Sequence, residues 1–386
     1  MRWMISILLL IACSLLFAAG KGRQVSLDRK ELVSDSLNND LTLASFVSAG
    51  YSLNISSYTL KELDLVLQEN KNTMFLLGQS QEGRKINAFY IPGTSDLRAI
   101  VIAGVHGSEL SAVEVAYRLA SQLLQGKQPY YSVIIVPSLF PDNAARAMDK
   151  PEQIGSPDNI GRYTYPYAVD PNRQMPSPGK SYNETRGLDH HGRKIEQENR
   201  FLLELIQAFK PQRIANLHAI RDMNYGGVYA DPRTDHNSIA LGYSSDSSLA
   251  VDMALYIHQQ GANVAGNNPD KKPTALYYRD PWPAPAGNLQ KRNMSATSLK
   301  AKRGSGVSLG IWGSTAIANE EDISKNRDAI RILTIEYPGY KRPADYKAEA
   351  EQLFQHKQSA SFATAIQTIF LEQYYTENEN NDMVKK

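Results

Sequence analysis

Apolar positions along the chain fall into continuous runs and periodic stripes that alternate with each other. "TMFLLGQS" (73–80) and "KINAFYIPG" (85–93) read as two strands of a hairpin that turns at "QEGR". "RAIVIAGV" (98–105) is an unbroken apolar run, the pattern of a strand buried on both faces. The period then changes. Leu110, Val113, Ala116, Ala120 and Leu124 share one face of a predicted helix over 110–124. "YSVIIVPSLF" (131–140), "QRIANL" (212–217) and "AIRILTI" (329–335) are further strands. "KIEQENRFLLELIQAF" (194–209) and "SSLAVDMALYIHQQG" (247–261, stopping at Gly261) are helices. "YKAEAEQLFQHKQSASFATAIQTIFLEQYY" (346–375) is a closing helix. Residues 142–192 and 262–320 lack periodicity and are rich in Pro, Gly, Asn and Asp or Lys, so they read as loops. The second is long for a plain connection and predicts a functional wall or an insertion. Strands alternating with helices imply an α/β fold with a largely parallel sheet.

The ends lie outside that pattern. "MRWMISILLLIACSLLFAAG" (1–20) has one Arg, an apolar run, and Ala18 and Gly20 as small residues before a cleavage point, which reads as a secretory signal peptide. It is short for a spanning helix. "LIAC" resembles a lipoprotein box, but the apolar run before Cys13 is short and "SLLF" is a poor start for a lipidated mature chain. The expectation is an exported, periplasmic protein with no stable membrane span after signal removal. Residues 21–70 form a mixed extension with a short helix in "YTLKELDLVLQENK", 71–375 form the main domain, and 376–386 form a frayed tail.

Composition adds mainly exclusions. The chain has 386 residues, 42% hydrophobic and 21% charged, and a net charge of +2, so no basic field points to nucleic acid. Cys13 is the only cysteine, so the mature chain needs a core rather than disulfides. Asn54, Asn183 and Asn293 head Asn-x-Ser/Thr triplets of the kind that arise by chance.

Three apolar strands lead into chemistry: "AIVIAGV" into His106, "RIANL" into His218 and "RILTI" into Glu336. Ligand sites in open α/β sheets lie beyond the carboxyl ends of the strands, so the three residues can share one rim. His106 and Glu109 are three apart across a Gly-Ser turn and can converge on one cation, with His218 as third ligand. Two imidazoles and a carboxylate, with one position left for water, form a catalytic zinc set. Glu336 then supplies a base. Asn172 and Arg173 in "VDPNRQMP" suit capture of a substrate carboxylate. Arg162 in "NIGRYTYPY" competes with Arg146 in "FPDNAARAMD" as a further arginine of the site.

In their order and spacing these segments resemble the zinc carboxypeptidases of the carboxypeptidase A type, from about residue 76 to 340. "LGQSQEGRKINAFYIPG" is similar to that family's opening hairpin. "AGVHGSE" is similar to its His-x-x-Glu motif, and "FPDNAAR" to its Asn-Pro-Asp-Gly turn, with Phe140 and Asn143 departing. "DPNRQ" is similar to its Asp-x-Asn-Arg-Asn segment, with Gln174 departing; "ANLHA" and "LTIEYP" match its ligand and glutamate strands. The resemblance implies a mixed, mostly parallel eight-stranded sheet flanked by helices. It implies one Zn²⁺ per chain on His106, Glu109 and His218, and Glu336 as general base and then proton donor. It also implies Arg162 polarising the scissile carbonyl, and Asn172 and Arg173 on the substrate carboxylate. Tyr277 and Tyr278 are candidates for a substrate-covering tyrosine. The function implied is an exported metallo-carboxypeptidase hydrolysing a C-terminal amide bond of a peptide with a free carboxylate, with peptidoglycan stem peptides as one substrate. The alternative is a deacylase of N-acyl amino acids, since "HGSEL" and "NLHA" also resemble the aspartoacylase and succinylglutamate desuccinylase group. That group lacks the opening hairpin. A non-catalytic module would lose a ligand or the base, and all four residues are present.

Other candidates read as bland. His190 and His191 sit in a polar turn, and His236, His258 and His356 fall in loops or on helices. Glu320 and Glu321 follow a polar stretch rather than a buried strand, and the 21 tyrosines suit a groove and an ordinary core equally well.

Overall fold

The computed structural model describes residues 62–164, 169–183, 185–237, 239–241, 244–275, 305–319 and 321–372. The segment read as a signal peptide, Cys13, Asn54, Asn293, Tyr277, Tyr278, Glu320 and the tail lie outside them. Among the described residues no helix is long and apolar enough to cross a membrane.

The helix α1 (Leu63–Glu69) precedes an antiparallel hairpin of β1 (Thr73–Gln79) and β2 (Lys85–Ile91), as the sequence predicts. Asp142 holds its turn by accepting from Ser80 Oγ at 2.6 Å, the Glu82 amide at 2.9 Å and Arg84 at 2.8 Å. The remaining strands are β3 (Arg98–Ile102), β4 (Ser132–Val136), β5 (Arg213–Ile220), β6 (Gly227–Ala230) and β7 (Arg331–Pro338). Their order is β1-β2-β4-β3-β5-β7-β6. The central four, β4, β3, β5 and β7, run parallel, while β1, β2 and β6 pair antiparallel at the edges. The mixed sheet expected from the sequence is therefore present, with seven strands among the described residues against the eight implied.

Helices cover both faces. α2 (Leu110–Gln125), α5 (Ser244–Gln259) and α7 (Glu349–Ala365) lie on one side, and α1, α4 (Gln197–Phe209) and α6 (Leu309–Gly313) on the other. Side chains alternate across a strand, so Ala99 and Val101 join the first layer and Ile100 and Ile102 the second, all fully buried. A strand with two buried faces must be apolar throughout, as "RAIVI" is.

Two elements depart from the expectation. α3 (Pro141–Met148) lies where a loop was read. Pro141 occupies its first turn, where the missing N–H costs nothing. β6 occupies "GVYA", a stretch to which the sequence pattern assigns no element.

Candidate active site and metal centre

The rim at the carboxyl ends of β3, β5 and β7 collects the polar residues. Past β3 the chain turns tightly, with the Glu109 amide donating to the His106 carbonyl at 3.0 Å. Gly107 is required there. A Cβ at that position would meet the Asn143 carbonyl carbon and the Ala144 amide nitrogen at 2.3 Å. The turn thus packs against α3, and the Ser108 amide donates to the Gly161 carbonyl at 3.1 Å, tying it to the loop that carries Arg162. His218 and Glu336 sit differently from the expectation that each follows its strand. Both lie inside strands, because β5 and β7 pair on through Ile220 and Pro338, and they face each other in that pairing.

His106 Nδ1 lies 2.8 Å from Glu109 Oε1, and His218 Nδ1 lies 2.9 Å from Glu109 Oε2. All three side chains are buried, and their donor atoms lie within 4.8 Å of one another. Glu109 also accepts from Arg162 Nη1 at 2.7 Å and from the Ala219 amide at 3.1 Å. The far nitrogen of His106, Nε2, meets Asp170 Oδ1 at 2.9 Å, which fixes the ring with Nδ1 inward. Asn172 Nδ2 stands 3.3 Å from His218 Nε2.

The electrostatics follow from this packing. Burial alone would lower the His106 imidazole, but the Glu109 and Asp170 carboxylates outweigh it and hold it up at about 9. Burial would raise Glu109, yet His106 and His218 keep its carboxyl well below the usual range. Burial raises the Glu336 carboxyl, and Glu109 adds to this against the pull of His218. No ion pair or hydrogen bond of the Glu336 carboxyl is found among the described residues. The two imidazole nitrogens and the Glu109 oxygen make an N,N,O donor set of the kind that fits zinc.

Other predicted residues are placed as follows. Arg162, and not Arg146, is bonded to Glu109, and its Nη1 also lies 3.5 Å from the Tyr340 hydroxyl. Arg146 binds Asn143 Oδ1 at 3.1 Å and pairs with Glu82 beside the hairpin turn. Asn172 Oδ1 accepts from the Leu309 amide at 3.2 Å, and Arg173 Nη1 donates to the Asn172 carbonyl at 2.7 Å. The His190 and His191 rings lie 5.0 Å apart at a tilt of 59°, and His190 Nδ1 pairs with Ser177 Oγ at 2.9 Å. His258 meets Asp270, His356 meets Arg118, and His236 and Glu321 are exposed. Asp170 and Tyr340 were assigned nothing from sequence. The signal for Asp170 lay in "DPNRQ", two residues before Asn172.

The zinc carboxypeptidase family profile matches residues 60–302, a span that holds every candidate site residue except Glu336. No curated protein matches the chain. Among solved structures, the chain is similar to a metallo-carboxypeptidase from Burkholderia cenocepacia, at 14% identity and a TM-score of 0.44 over 85% of this chain and 68% of that one. It is also similar to the murein-tripeptide amidase MpaA from Escherichia coli O157, at 15% identity and 0.40 over 79% and 93%. A third is carboxypeptidase A from Helicoverpa armigera, at 15% and 0.43 over 86% and 80%.

Proposed function

The chain belongs to the zinc carboxypeptidase family, and on that premise we propose that it is an exported metallo-carboxypeptidase that removes a C-terminal residue from peptides, peptidoglycan stem peptides among them. One observation carries this reading: His106, Glu109 and His218 converge within 4.8 Å of one another, with Glu336 paired directly opposite His218. In this reading those three residues hold one zinc ion. Bound there, zinc supplies Lewis acidity next to the scissile carbonyl.

The chain's own groups do the rest. Glu336 takes a proton from the attacking water and hands it to the leaving amine, work that suits a carboxyl raised by burial. Arg162 sets a fixed positive charge where negative charge develops on the carbonyl oxygen. Asn172 and Arg173 hold the carboxylate of the departing residue, Arg173 by a guanidinium fork suited to two parallel hydrogen bonds. Support for export comes from the sequence of residues 1–20 alone.

The test is mass spectrometry of the zinc-loaded mature chain with stem peptides of several lengths, ordinary peptides and N-acyl amino acids, together with metal analysis. Loss of one C-terminal residue, with one zinc per chain, is the expected result. Cleavage of N-acyl amino acids alone would overturn it in favour of a deacylase.

A further inference from the structure

A cavity of about 210 Å³ between the hairpin turn, α3 and the start of α4 takes no part in the mechanism above. It is lined by Glu82 of the hairpin, Asp142 and Arg146 of α3, Thr164, and Glu196 and Glu198 at α4. Asp142, Thr164, Glu196 and Glu198 are buried, so its walls are closed. Four carboxylates line it against one guanidinium. Two of them are answered. Arg146 pairs with Glu82, and Arg84 reaches Glu82 at 2.5 Å and Asp142 at 2.8 Å.

The other two are not. No ion pair of Glu196 or Glu198 is found among the described residues. Glu196 accepts from the Gln81 side chain. Glu198 Oε1 accepts from the Gln81 amide at 3.3 Å, but its Oε2 has no partner among the described residues, although Glu198 is only 2% exposed. Burial pushes its carboxyl up to about 7, and Asp142 and Glu196 beside it add to the rise. A buried carboxylate with a free oxygen and no counter-charge is costly, and the cavity beside it admits a group that relieves the cost.

The chemistry of that group is constrained. These carboxylates do not close on one metal ion: among the described residues only His106, Glu109 and His218 bring three donor atoms within 4.8 Å of one another. The space is also larger than a bare ion fills. A primary ammonium on a short alkyl chain matches it. Its three N–H donors can be shared between Glu198 and Glu196, and its methylenes can lie against Phe140, which also lines the cavity.

We propose that this cavity is an effector site, separate from the metal centre, that binds a small organic cation through a primary ammonium group. An occupant joins three segments that carry the centre. The backbone of α3 packs against Gly107 in the His106–Glu109 turn. Thr164 lies two residues beyond Arg162. Asn199, next to Glu198, donates to the carbonyl of Pro171, the residue before Asn172, at 2.8 Å. The inference goes beyond the carboxypeptidase reading and does not depend on it.

Titration calorimetry of the mature chain, metal in place, with n-butylamine at pH 8 tests it. n-Butanol removes the charge at the same length, and tetramethylammonium keeps the charge without N–H donors. Butylamine should bind once per chain, and both controls at least about 10-fold more weakly. Glu198→Gln should weaken butylamine by roughly 10–100-fold, the worth of a hydrogen bond to a charged group, with zinc content unchanged. A blocked peptide with an internal lysine shows whether the ammonium arrives on a free amine or on a chain, and binding of either supports the site. No butylamine binding by wild type, or equal binding by Glu198→Gln, overturns the inference. So does a site that takes calcium or tetramethylammonium as well as it takes the amine. Should Glu198→Gln fail to fold, Glu196→Gln removes the other unpaired carboxylate and makes the same comparison.

Discussion

Glu336 stands directly opposite His218 in the parallel pairing of β5 and β7, and Gly227 of β6 flanks it on the other side. Side chains paired across parallel strands share a face, so the position of Glu336, the proposed base, is set by backbone hydrogen bonds rather than by a loop. Gly227 leaves the second flank without a side chain.

Replacing Glu336 by Gln keeps the shape and removes the proton acceptor. Turnover should fall by about 10²–10⁴-fold, the usual worth of a positioned acid–base group. Zinc content by mass spectrometry should stay at the wild-type level. Residual activity near wild type would remove Glu336 from the base role.

Asp170 touches His106 and not the other two candidate ligands, so its effect should be on the metal. Asp170→Asn should weaken zinc affinity by roughly 10–100-fold, the common cost of losing a partner that orients a ligating imidazole. Competition with a chelator measures this. An unchanged affinity would mean that His106 is oriented by its other contacts alone.

The two competing arginines can be separated by the same substitution. Arg162→Met should cost about 10²–10³-fold in kcat, as loss of one donor to a developing oxyanion does. Arg146→Met breaks the pair with Glu82 and the bond to Asn143, neither of which involves the three candidate ligands, and should change kcat by less than about threefold, with a small loss of thermal stability. The reverse pattern would exchange their roles.

Glu198 gives a pH-dependent stability. It is 2% exposed, one of its oxygens has no partner among the described residues, and burial raises its carboxyl from 4.5 to about 7. A group raised on folding binds more protons in the folded state, so its contribution is fully present below 4.5 and is lost as pH rises to about 7. Glu198→Gln should therefore raise Tm at pH 8 relative to wild type and flatten the decline between pH 5 and 7. An equal Tm difference at pH 5 and pH 8 would disprove the assignment.

The sheet centre was legible because strands buried on both faces must be apolar along their whole length, and "RAIVI", "SVIIV" and "RILTI" are. His106, Glu109 and His218 were legible because polar groups beside such runs demand partners. β6 was missed since four residues between turns carry no period, and α3 since Pro141, Asp142 and Asn143 spell a turn in isolation. That His218 and Glu336 lie within strands could not be read from either segment alone, because each strand is extended by pairing with the other. Asp170 escaped for a similar reason. A carboxylate becomes a histidine's partner only when a segment 64 residues away folds over it.

The order of the strands has a consequence for assembly. Glu109 and His218 are 109 residues apart in the chain and meet across the seam between β3 and β5, which are adjacent only once the intervening segment has closed. No early fragment contains the centre, and a chain that has yet to pair β5 with β3 offers a cation one histidine and one carboxylate. A cation held by all three groups would act as a latch on the middle of the sheet, and its binding free energy would add to the stability of the closed form.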